Sequence, residues 1–355
     1  MPTAQPPRHA RRSCDAHRPR PAVWRRVLGV LAVLGASLAV TTTAAAGPAR
    51  GPGARGRATG VLATTSPADR PASAGAPARV LLALGDSLAS GYQPADGTTP
   101  PPIDPATGFR DQGYPHSYPA DLAHTLGLGL VDLACPGETI TSMSATPAQP
   151  ACGATYRAEL GATSQLGAAR AYLARHRGLV RLVTIDIGAN DVDGCLSLAH
   201  VDLACLGRAR TAVSTELPRI LGALRSALAV DDPGAHVVAM NYYDPLLAVA
   251  YQPGGVKGDA DAALSVLLAD GFNTLLAGVY HHAGVPMADV AGAFHTGQVA
   301  PALTYDGHVL PADVAYICRW TWMCPPSGSA RPADIHPDDA GYTVIARTFA
   351  RLVGQ

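Results

Sequence analysis

The chain has 355 residues, 48% of them hydrophobic, and 27 basic residues balance 27 acidic ones. This hydrophobic fraction supplies one large core and excludes a chain that is disordered throughout. Residues 1–46 hold seven arginines and one acid, so the remainder carries 20 basic and 26 acidic residues. An acidic folded part makes nucleic acid an unexpected partner.

The first 46 residues have the three parts of a secretory signal peptide. Seven arginines precede an uncharged apolar run at 27–40, and the alanines at 44–46 offer an A-x-A cleavage site. A helix over that run would span about 21 Å, short of the roughly 30 Å hydrocarbon core, which argues against a membrane anchor. We therefore expect residues 1–46 to be cleaved and the mature protein to be secreted. The pair Arg25 and Arg26 leaves open whether the general secretory or the twin-arginine route is used.

Residues 47–78 are rich in Ala, Gly, Pro and Arg without apolar periodicity, which predicts a flexible linker before one domain at 79–355. A formal G-x-G-x-x-G at 51–56 has no predicted strand before it and no helix after it, so we expect no dinucleotide site. Lys257 is the only lysine and Gly258 follows it, which excludes a phosphate-binding loop. We expect no cofactor.

From residue 79 onwards, short apolar runs alternate with Ala-rich stretches of helical composition. The apolar runs are at 80–84, 130–134, 182–187, 236–240 and 285–290. The helical stretches lie around 160–177, 210–229 and 260–283, with a last helix at about 340–352 that an Asp can cap. This alternation predicts an α/β fold whose central parallel sheet is covered on both faces. Such sheets bind ligands at the carboxyl ends of their strands, so the residues after each run are the candidates for chemistry.

Six cysteines remain once Cys14 is removed with the signal peptide, and their spacing forms three close couples. This spacing favours local disulfides, although sequence alone cannot choose among the connectivities. The couples are Cys135–Cys152, Cys195–Cys205 and Cys318–Cys324. A zinc site is the alternative, but no Cys-x-x-Cys or His-x-x-x-His pair accompanies them, and we expect no metal.

The first run ends in Gly85-Asp86-Ser87-Leu88. A serine at a strand-to-helix turn exposes its hydroxyl and suits a nucleophile. Serine also caps helices for purely structural reasons, so this motif alone leaves both interpretations open.

Three further segments carry candidate residues. Gly137 follows the second run and Asn190 the third, and a backbone N–H and a side-chain amide can both donate to an oxyanion. Each is equally compatible with an ordinary Gly or Asn turn. Near the C-terminus, Asp334-Ile335-His336-Pro337 places a histidine close to an acid just before the last predicted helix.

Taken together, these segments resemble the GDSL esterase/lipase family, the SGNH hydrolases. The matching segments, in order, are G-D-S-L at 85–88, Gly137, G-A-N-D at 188–191 and D-I-H-P at 334–337. C-P-G-E-T at 135–139 and N-Y-Y-D-P at 241–245 resemble its secreted actinobacterial branch. The resemblance covers 79–355. It implies a flavodoxin-like three-layer α/β/α fold with about five strands, and ester hydrolysis through an acyl-serine intermediate.

The resemblance also implies a role for each matched residue. Ser87 would be the nucleophile and His336 the base, while the N–H groups of Ser87 and Gly137 with the amide of Asn190 would form the oxyanion hole. The family usually carries an Asp three residues before the His, where this chain has Ala333. Asp334 stands two before it, so a triad with Asp334 and a Ser–His dyad oriented by a backbone carbonyl both remain open.

Small Ala, Leu and Gly residues dominate the domain, which favours lipid or fatty-acyl esters over sugar acetates as substrates. Five tyrosines fall in predicted rim loops, where they suit either substrate: Tyr92, Tyr114, Tyr118, Tyr242 and Tyr243. The alternatives are a sugar-ester deacetylase of the same fold and a non-catalytic surface- or carbohydrate-binding module. An α/β-hydrolase is disfavoured, because its nucleophile lies in G-x-S-x-G. We expect a monomer whose partners are ester substrates, with at most transient contact with lipid surfaces.

Overall fold

The computed structural model describes residues 79–93, 116–144, 150–195, 201–251, 256–325 and 333–354. The predicted signal peptide and linker lie outside these residues, so both stay predictions.

A five-stranded parallel sheet forms the centre of the domain, with strand order β2-β1-β3-β4-β5. The strands are β1 (Val80–Gly85), β2 (Gly129–Asp132), β3 (Val180–Asp186), β4 (His236–Met240) and β5 (Met287–Ala288). Each overlaps one of the five apolar runs, so the predicted parallel sheet is confirmed. Strand β5 is shorter than its run, because Pro286 lacks the N–H that a strand ladder needs.

Among the described residues, the connecting segments contain helices and one hairpin, made of β6 (Leu303–Tyr305) and β7 (His308–Leu310). A π-helical segment, Ala212–Glu216, leads into α7, and a 3-10 segment, Pro245–Ala250, follows β4. The α-helices in chain order are α1 (Tyr118–Leu126), α2 (Ile140–Ser144), α3 (Pro150–Leu160), α4 (Gln165–Arg175), α5 (Ala189–Asp193), α6 (Leu203–Thr211), α7 (Leu217–Asp231), α8 (Val256–His282), α9 (Val290–Ala293), α10 (Ala312–Trp320) and α11 (Asp339–Val353). The predicted helices correspond to α4, α7, α8 and α11, and the side chain of Asp338 caps α11.

The helices form two layers, one on each face of the sheet. Helices α1 and α11 pack together, whereas α4 packs on α7 and α7 on α8. Strand β2 lies on one side of β1, and β3, the next strand along the chain, lies on its other side. The order in which strands are added to the sheet therefore reverses at β1. Such a reversal opens a crevice at the carboxyl ends of β1 and β3. The three-layer flavodoxin-like fold is therefore confirmed, and the crevice lies where Ser87 and Asn190 follow β1 and β3.

Helix α8 is apolar on most of its surface. By length and composition alone its segment Asp261–His282 could cross a membrane. In this fold Leu276 and Tyr280 of that helix are fully buried in the core, and Leu268 and Phe272 line the crevice. Burial in the core accounts for part of this apolar character, since 28% of the most apolar stretch of the helix is buried within the domain.

Three disulfides join the cysteines as the three close couples. Cys135–Cys152 ties the turn after β2 to α3, and Cys195–Cys205 ties the end of α5 to α6. Cys318–Cys324 ties α10 to the segment that follows it. The Cys195–Cys205 disulfide thereby holds α6, whose Leu206 lines the crevice.

Candidate active site

Ser87 and His336 meet at the crevice although 249 positions separate them, and Ser87 Oγ lies 2.8 Å from His336 Nε2. Ser87 lies two residues after Gly85, which ends β1 and has a φ of 141°. A Cβ at residue 85 would lie 2.2 Å from Oδ1 of Asp186, so only glycine allows this turn so close to β3. The serine hydroxyl is thereby held half-buried at the crevice.

Asp334 lies against the other nitrogen of the same imidazole. Its Oδ1 is 2.6 Å from His336 Nδ1 and also accepts the backbone N–H of His336 at 2.9 Å. A carboxylate can only accept hydrogen bonds, so Nδ1 carries the proton and Nε2 is left to accept from the Ser87 hydroxyl. A side-chain carboxylate two residues before the histidine, rather than a backbone carbonyl, therefore occupies the position at Nδ1.

The Asp334–His336 segment is held by Trp322, a residue that the sequence analysis did not identify. The N–H of Asp334 donates to the carbonyl of Trp322, and the N–H of Trp322 donates to the carbonyl of His336, both at 3.0 Å. This short antiparallel pairing turns the segment towards Ser87. The Cys318–Cys324 disulfide closes the loop that contains Trp322, so it fixes the pairing partner of the histidine.

Two tyrosines complete the support of the histidine. The ring of Tyr92 lies on the His336 imidazole with the centroids 4.3 Å apart, and Tyr243 Oη donates to the carbonyl of Ile335 at 2.6 Å. The prediction that Tyr118, Tyr242 and Tyr243 lie on the rim is wrong, because they are only 0%, 7% and 6% exposed; Tyr114 lies outside the described residues. Tyr242 and Tyr243 directly follow β4 and line the crevice, and their hydroxyls donate to buried acceptors.

Gly137 and Asn190 are brought together by one hydrogen bond. The side-chain amide of Asn190 donates to the carbonyl of Glu138 at 2.9 Å, and Gly137, with φ 79°, forms the exposed turn just before it. The amide nitrogen of Asn190 has a second N–H. Ser87 and Asn190 line the same cavity. This arrangement can offer hydrogen-bond donors to an oxygen bound beside Ser87.

Gln165 on α4 ties this turn to the end of β1. Its Oε1 accepts the N–H of Gly85 at 2.7 Å, and its Nε2 donates to the carbonyl of Gly85 at 2.9 Å and to Oε2 of Glu138 at 3.1 Å. The Ser142 hydroxyl donates to the other carboxyl oxygen of Glu138. Burial raises the pKa of Glu138 to about 7, although both hydrogen bonds lower it. No sequence motif indicated a role for Gln165 or Glu138.

The titration of Glu138 predicts a pH-dependent stability difference. The unfolded carboxyl ionises near 4.5 and the folded one near 7, so between these values the folded state holds an extra proton and stability falls as pH rises. Glu138→Gln cannot titrate. Its unfolding free energy relative to wild type should therefore increase by up to about 3 kcal/mol between about pH 4.5 and about pH 8.

Urea unfolding at several pH values, with disulfides intact, measures this difference. Glu159→Gln is the matched control, because Glu159 is exposed. The control difference should stay flat with pH. A Glu138→Gln difference that is equally flat would contradict the raised pKa.

The Cys135–Cys152 disulfide should act mainly on kcat. It anchors the turn that presents Gly137, so the double variant Cys135→Ala/Cys152→Ala should lower kcat while changing KM little. Closing a loop of 17 residues should also contribute about 3 kcal/mol to stability. Steady-state kinetics below the lowered Tm measure the first effect.

The comparison variant is Cys195→Ala/Cys205→Ala, which releases α6 and its cavity-lining Leu206 instead. It should raise KM more than it lowers kcat. Equal changes in kcat for both double variants would argue against a specific role of the Cys135–Cys152 bond.

A cavity of about 270 Å³ opens beside Ser87 and His336. Apolar side chains from α5, α6, α8 and the segment after β4 form most of its wall. They include Val192, Leu206, Leu246, Leu268 and Phe272. Among the described residues, no cluster of three or more His, Cys, Asp or Glu side chains is arranged to hold a metal ion.

Several solved structures are similar to this chain at low identity. A phospholipase A1 from Streptomyces albidoflavus NA297 is 19% identical with a TM-score of 0.46, and the match covers 77% of this chain and 99% of that one. An extracellular lipase from Streptomyces rimosus is 22% identical with a TM-score of 0.42, covering 76% and 99%. A carbohydrate acetylesterase from Sinorhizobium meliloti is 13% identical with a TM-score of 0.40, covering 78% and 98%. At these values the likenesses carry no argument about substrate.

No curated protein matches this chain significantly. The model of the GDSL-like lipase/acylhydrolase family matches residues 83–344, a span that begins within β1, contains Ser87, Gly137, Asn190 and His336, and ends within α11. The chain therefore belongs to the GDSL-like lipase/acylhydrolase family and is a carboxylic-ester hydrolase.

Proposed function

We propose that this protein is a secreted serine hydrolase that cleaves lipid or fatty-acyl esters through an acyl-serine intermediate. One observation carries the proposal: Ser87, His336 and Asp334 form a continuous hydrogen-bonded line beside an apolar cavity. This line can move a proton away from the serine oxygen. The cavity can hold the hydrocarbon part of an ester.

In the acylation step, Ser87 Oγ attacks the ester carbonyl carbon while its proton passes to Nε2 of His336. Asp334 stabilises the imidazolium through Nδ1–H. The carbonyl oxygen becomes an oxyanion, which the N–H groups of Ser87 and Gly137 and the amide of Asn190 would stabilise. When the tetrahedral intermediate collapses, the C–O bond to the alcohol breaks and His336 returns the proton to the departing alcohol.

In the deacylation step, a water molecule takes the place of the alcohol. His336 removes a proton from the water as its oxygen attacks the acyl carbon. The bond between the acyl carbon and Ser87 Oγ then breaks, and the proton returns to the serine. The products are a carboxylic acid and the free enzyme.

Asn190→Ala tests the oxyanion role. Losing one such donor should lower kcat about 10²- to 10³-fold with little change in KM, since the charge develops only in the transition state. Asn190 also holds the Glu138 carbonyl. Asn190→Asp keeps the size but loses both hydrogen bonds, so its kcat should fall at least as far as that of Asn190→Ala. A loss that appears in KM rather than in kcat would argue against the role.

Labelling by a fluorophosphonate probe tests the nucleophile directly. Ser87 Oγ would bond to phosphorus and displace fluoride, so wild-type residues 47–355 with disulfides formed should label. The Ser87→Ala variant should not label. Labelling of wild type that persists in Ser87→Ala would overturn the assignment, and a folded wild type that never labels would favour a non-catalytic module.

A panel of p-nitrophenyl esters of increasing acyl length tests the substrate class. Longer acyl chains bury more apolar surface in the cavity, so kcat/KM should increase from the acetate towards medium-chain esters. Leu268→Asp should reduce this preference more than it reduces acetate cleavage. Activity on the acetate alone would favour a sugar-ester deacetylase.

The export proposal is supported by the three disulfides, which persist in oxidising compartments. The unreduced mature protein should contain almost no free thiol, whereas six reactive thiols would contradict both disulfides and export. We also propose an active monomer, because Ser87, His336 and Asp334 all come from one chain.

A further inference from the structure

Two aspartates lie side by side in the core next to Ser87. Asp86 follows β1 and Asp186 ends β3, where Asp186 is the ladder partner of Gly85. Asp86 is 1% exposed and Asp186 0%. The two carboxyl groups are close enough for each to shift the pKa of the other. The proposed mechanism uses neither of them.

The carboxyl group of Asp86 accepts two hydrogen bonds. Its Oδ1 accepts the backbone N–H of Leu88 at 2.9 Å, and its Oδ2 accepts the Tyr242 hydroxyl at 3.1 Å. Leu88 directly follows Ser87. Asp86 therefore fixes the backbone of Leu88, the residue that directly follows the serine.

Asp186 holds the same turn from β3. Its Oδ2 accepts the backbone N–H of Ala89 at 3.1 Å, 97 positions away, and its Oδ1 accepts the Tyr118 hydroxyl at 2.7 Å. Between them, the two carboxyl groups bind two successive N–H groups after Ser87. The orientation of the Ser87 N–H, a proposed oxyanion donor, depends on this turn.

Burial raises the pKa of both carboxyl groups. The charge of Asp86 raises the pKa of Asp186 further, whereas the nearby His336 lowers the pKa of Asp86. Two adjacent buried carboxyl groups cannot both ionise without a large cost, so one keeps its proton. The other titratable groups that interact with Asp86 are Tyr242, Tyr243, Tyr280, Tyr342, Glu138, Asp191 and Asp193.

We propose that Asp86 and Asp186 are positioning residues that share one proton, with Asp186 neutral and Asp86 ionised, and that this pair holds the turn bearing Ser87. The inference rests on the proposed function of Ser87 as the nucleophile.

The protonation state follows from the charges of the reaction. A single negative charge on Asp86 stabilises the imidazolium that His336 forms in the transition state. A second charge on Asp186 would oppose the oxyanion that forms next to the Ser87 N–H. A neutral Asp186 can donate to Asp86 and still accept from the N–H of Ala89. It therefore holds the turn after Ser87 without adding a second negative charge.

Conservative and disruptive variants separate these roles. Asp186→Asn keeps a neutral donor and acceptor and should lower kcat less than about ten-fold. Asp186→Leu removes the acceptor for Ala89 N–H and should lower kcat about 10²-fold at nearly constant KM, since a small misplacement of reacting groups has that effect. Asp86→Asn removes the charge and should be at least about ten-fold worse than Asp186→Asn. Equal losses in both Asn variants, or a worse Asp186→Asn, would overturn the assignment of the proton.

Infrared spectroscopy tests the pair independently of activity. At about pH 9 the carboxyl groups with a pKa near 6 or 7 are ionised, so a carbonyl-stretch band of a protonated carboxyl should remain in wild type and disappear in Asp186→Asn. No such band in wild type, or a band that persists in Asp186→Asn, would contradict the proposal even if Asp186→Leu failed to fold. If the enzyme proved inactive on esters and did not label, the proposed function would fail while the band still decided the state of the pair.

Discussion

Replacing Ser87 by alanine should lower kcat by about 10⁶-fold, and adding His336→Ala should lower it little further. The two side chains act as one unit, because the serine oxygen becomes nucleophilic only as His336 takes its proton. Removing either group therefore removes the whole step. Steady-state hydrolysis of a p-nitrophenyl ester by both single variants and the double variant measures this non-additivity.

His281→Ala is the control for the histidine substitution, since His281 is exposed near the end of α8. It should retain wild-type kcat. Losses that multiply in the double variant would show that Ser87 and His336 act independently. Such a result would contradict the hydrogen bond between them as a catalytic contact.

Asp334→Asn should lower kcat by about 10⁴-fold while leaving the fold intact. An asparagine amide can donate to Nδ1, which places the imidazole proton on Nε2. His336 then donates to Ser87 Oγ instead of accepting its proton. The rate of fluorophosphonate labelling should fall in parallel with kcat, because both depend on an activated serine.

The matched control is Asp339→Asn, which changes an exposed acid in the first turn of α11. A control with wild-type activity assigns the loss to position 334 rather than to a general change in charge. An Asp334→Asn variant with nearly full kcat would mean that the carboxylate is dispensable and that a Ser–His dyad suffices.

The strand-end residues could be predicted because a simple rule connects them. Apolar runs predict buried strands, and the carboxyl ends of parallel strands share one edge of the sheet. Ser87 follows β1 and Asn190 follows β3, which are neighbours in the sheet. Their proximity follows from topology, without knowledge of the loops.

Asp334 illustrates what spacing cannot decide. Its distance from His336 along the chain allows its side chain to point towards or away from the ring. The orientation depends on the antiparallel pairing with Trp322, and a segment outside the described residues separates the two along the chain. Only the tertiary structure therefore brings the carboxylate to Nδ1.

The residues that support the site are harder to recognise from the sequence than the catalytic residues. Asp186 is an acid inside an apolar run, a departure that could have marked it as a buried polar group with a specific partner. Gln165 lies in an unremarkable helical stretch, and its contact with Gly85 is 80 positions away. Nothing local distinguishes such a glutamine from a solvated one.

By itself, the sequence determined the parallel α/β sheet, the family and the candidate nucleophile and base, because each follows from local composition or from an ordered motif. The tertiary structure alone decided which acid contacts His336, that two aspartates lie beside Ser87 in the core, and that α6 and α8 form an apolar wall beside the serine. These features depend on contacts between residues far apart in the chain. Such contacts form only when the sheet and its two helical layers pack together.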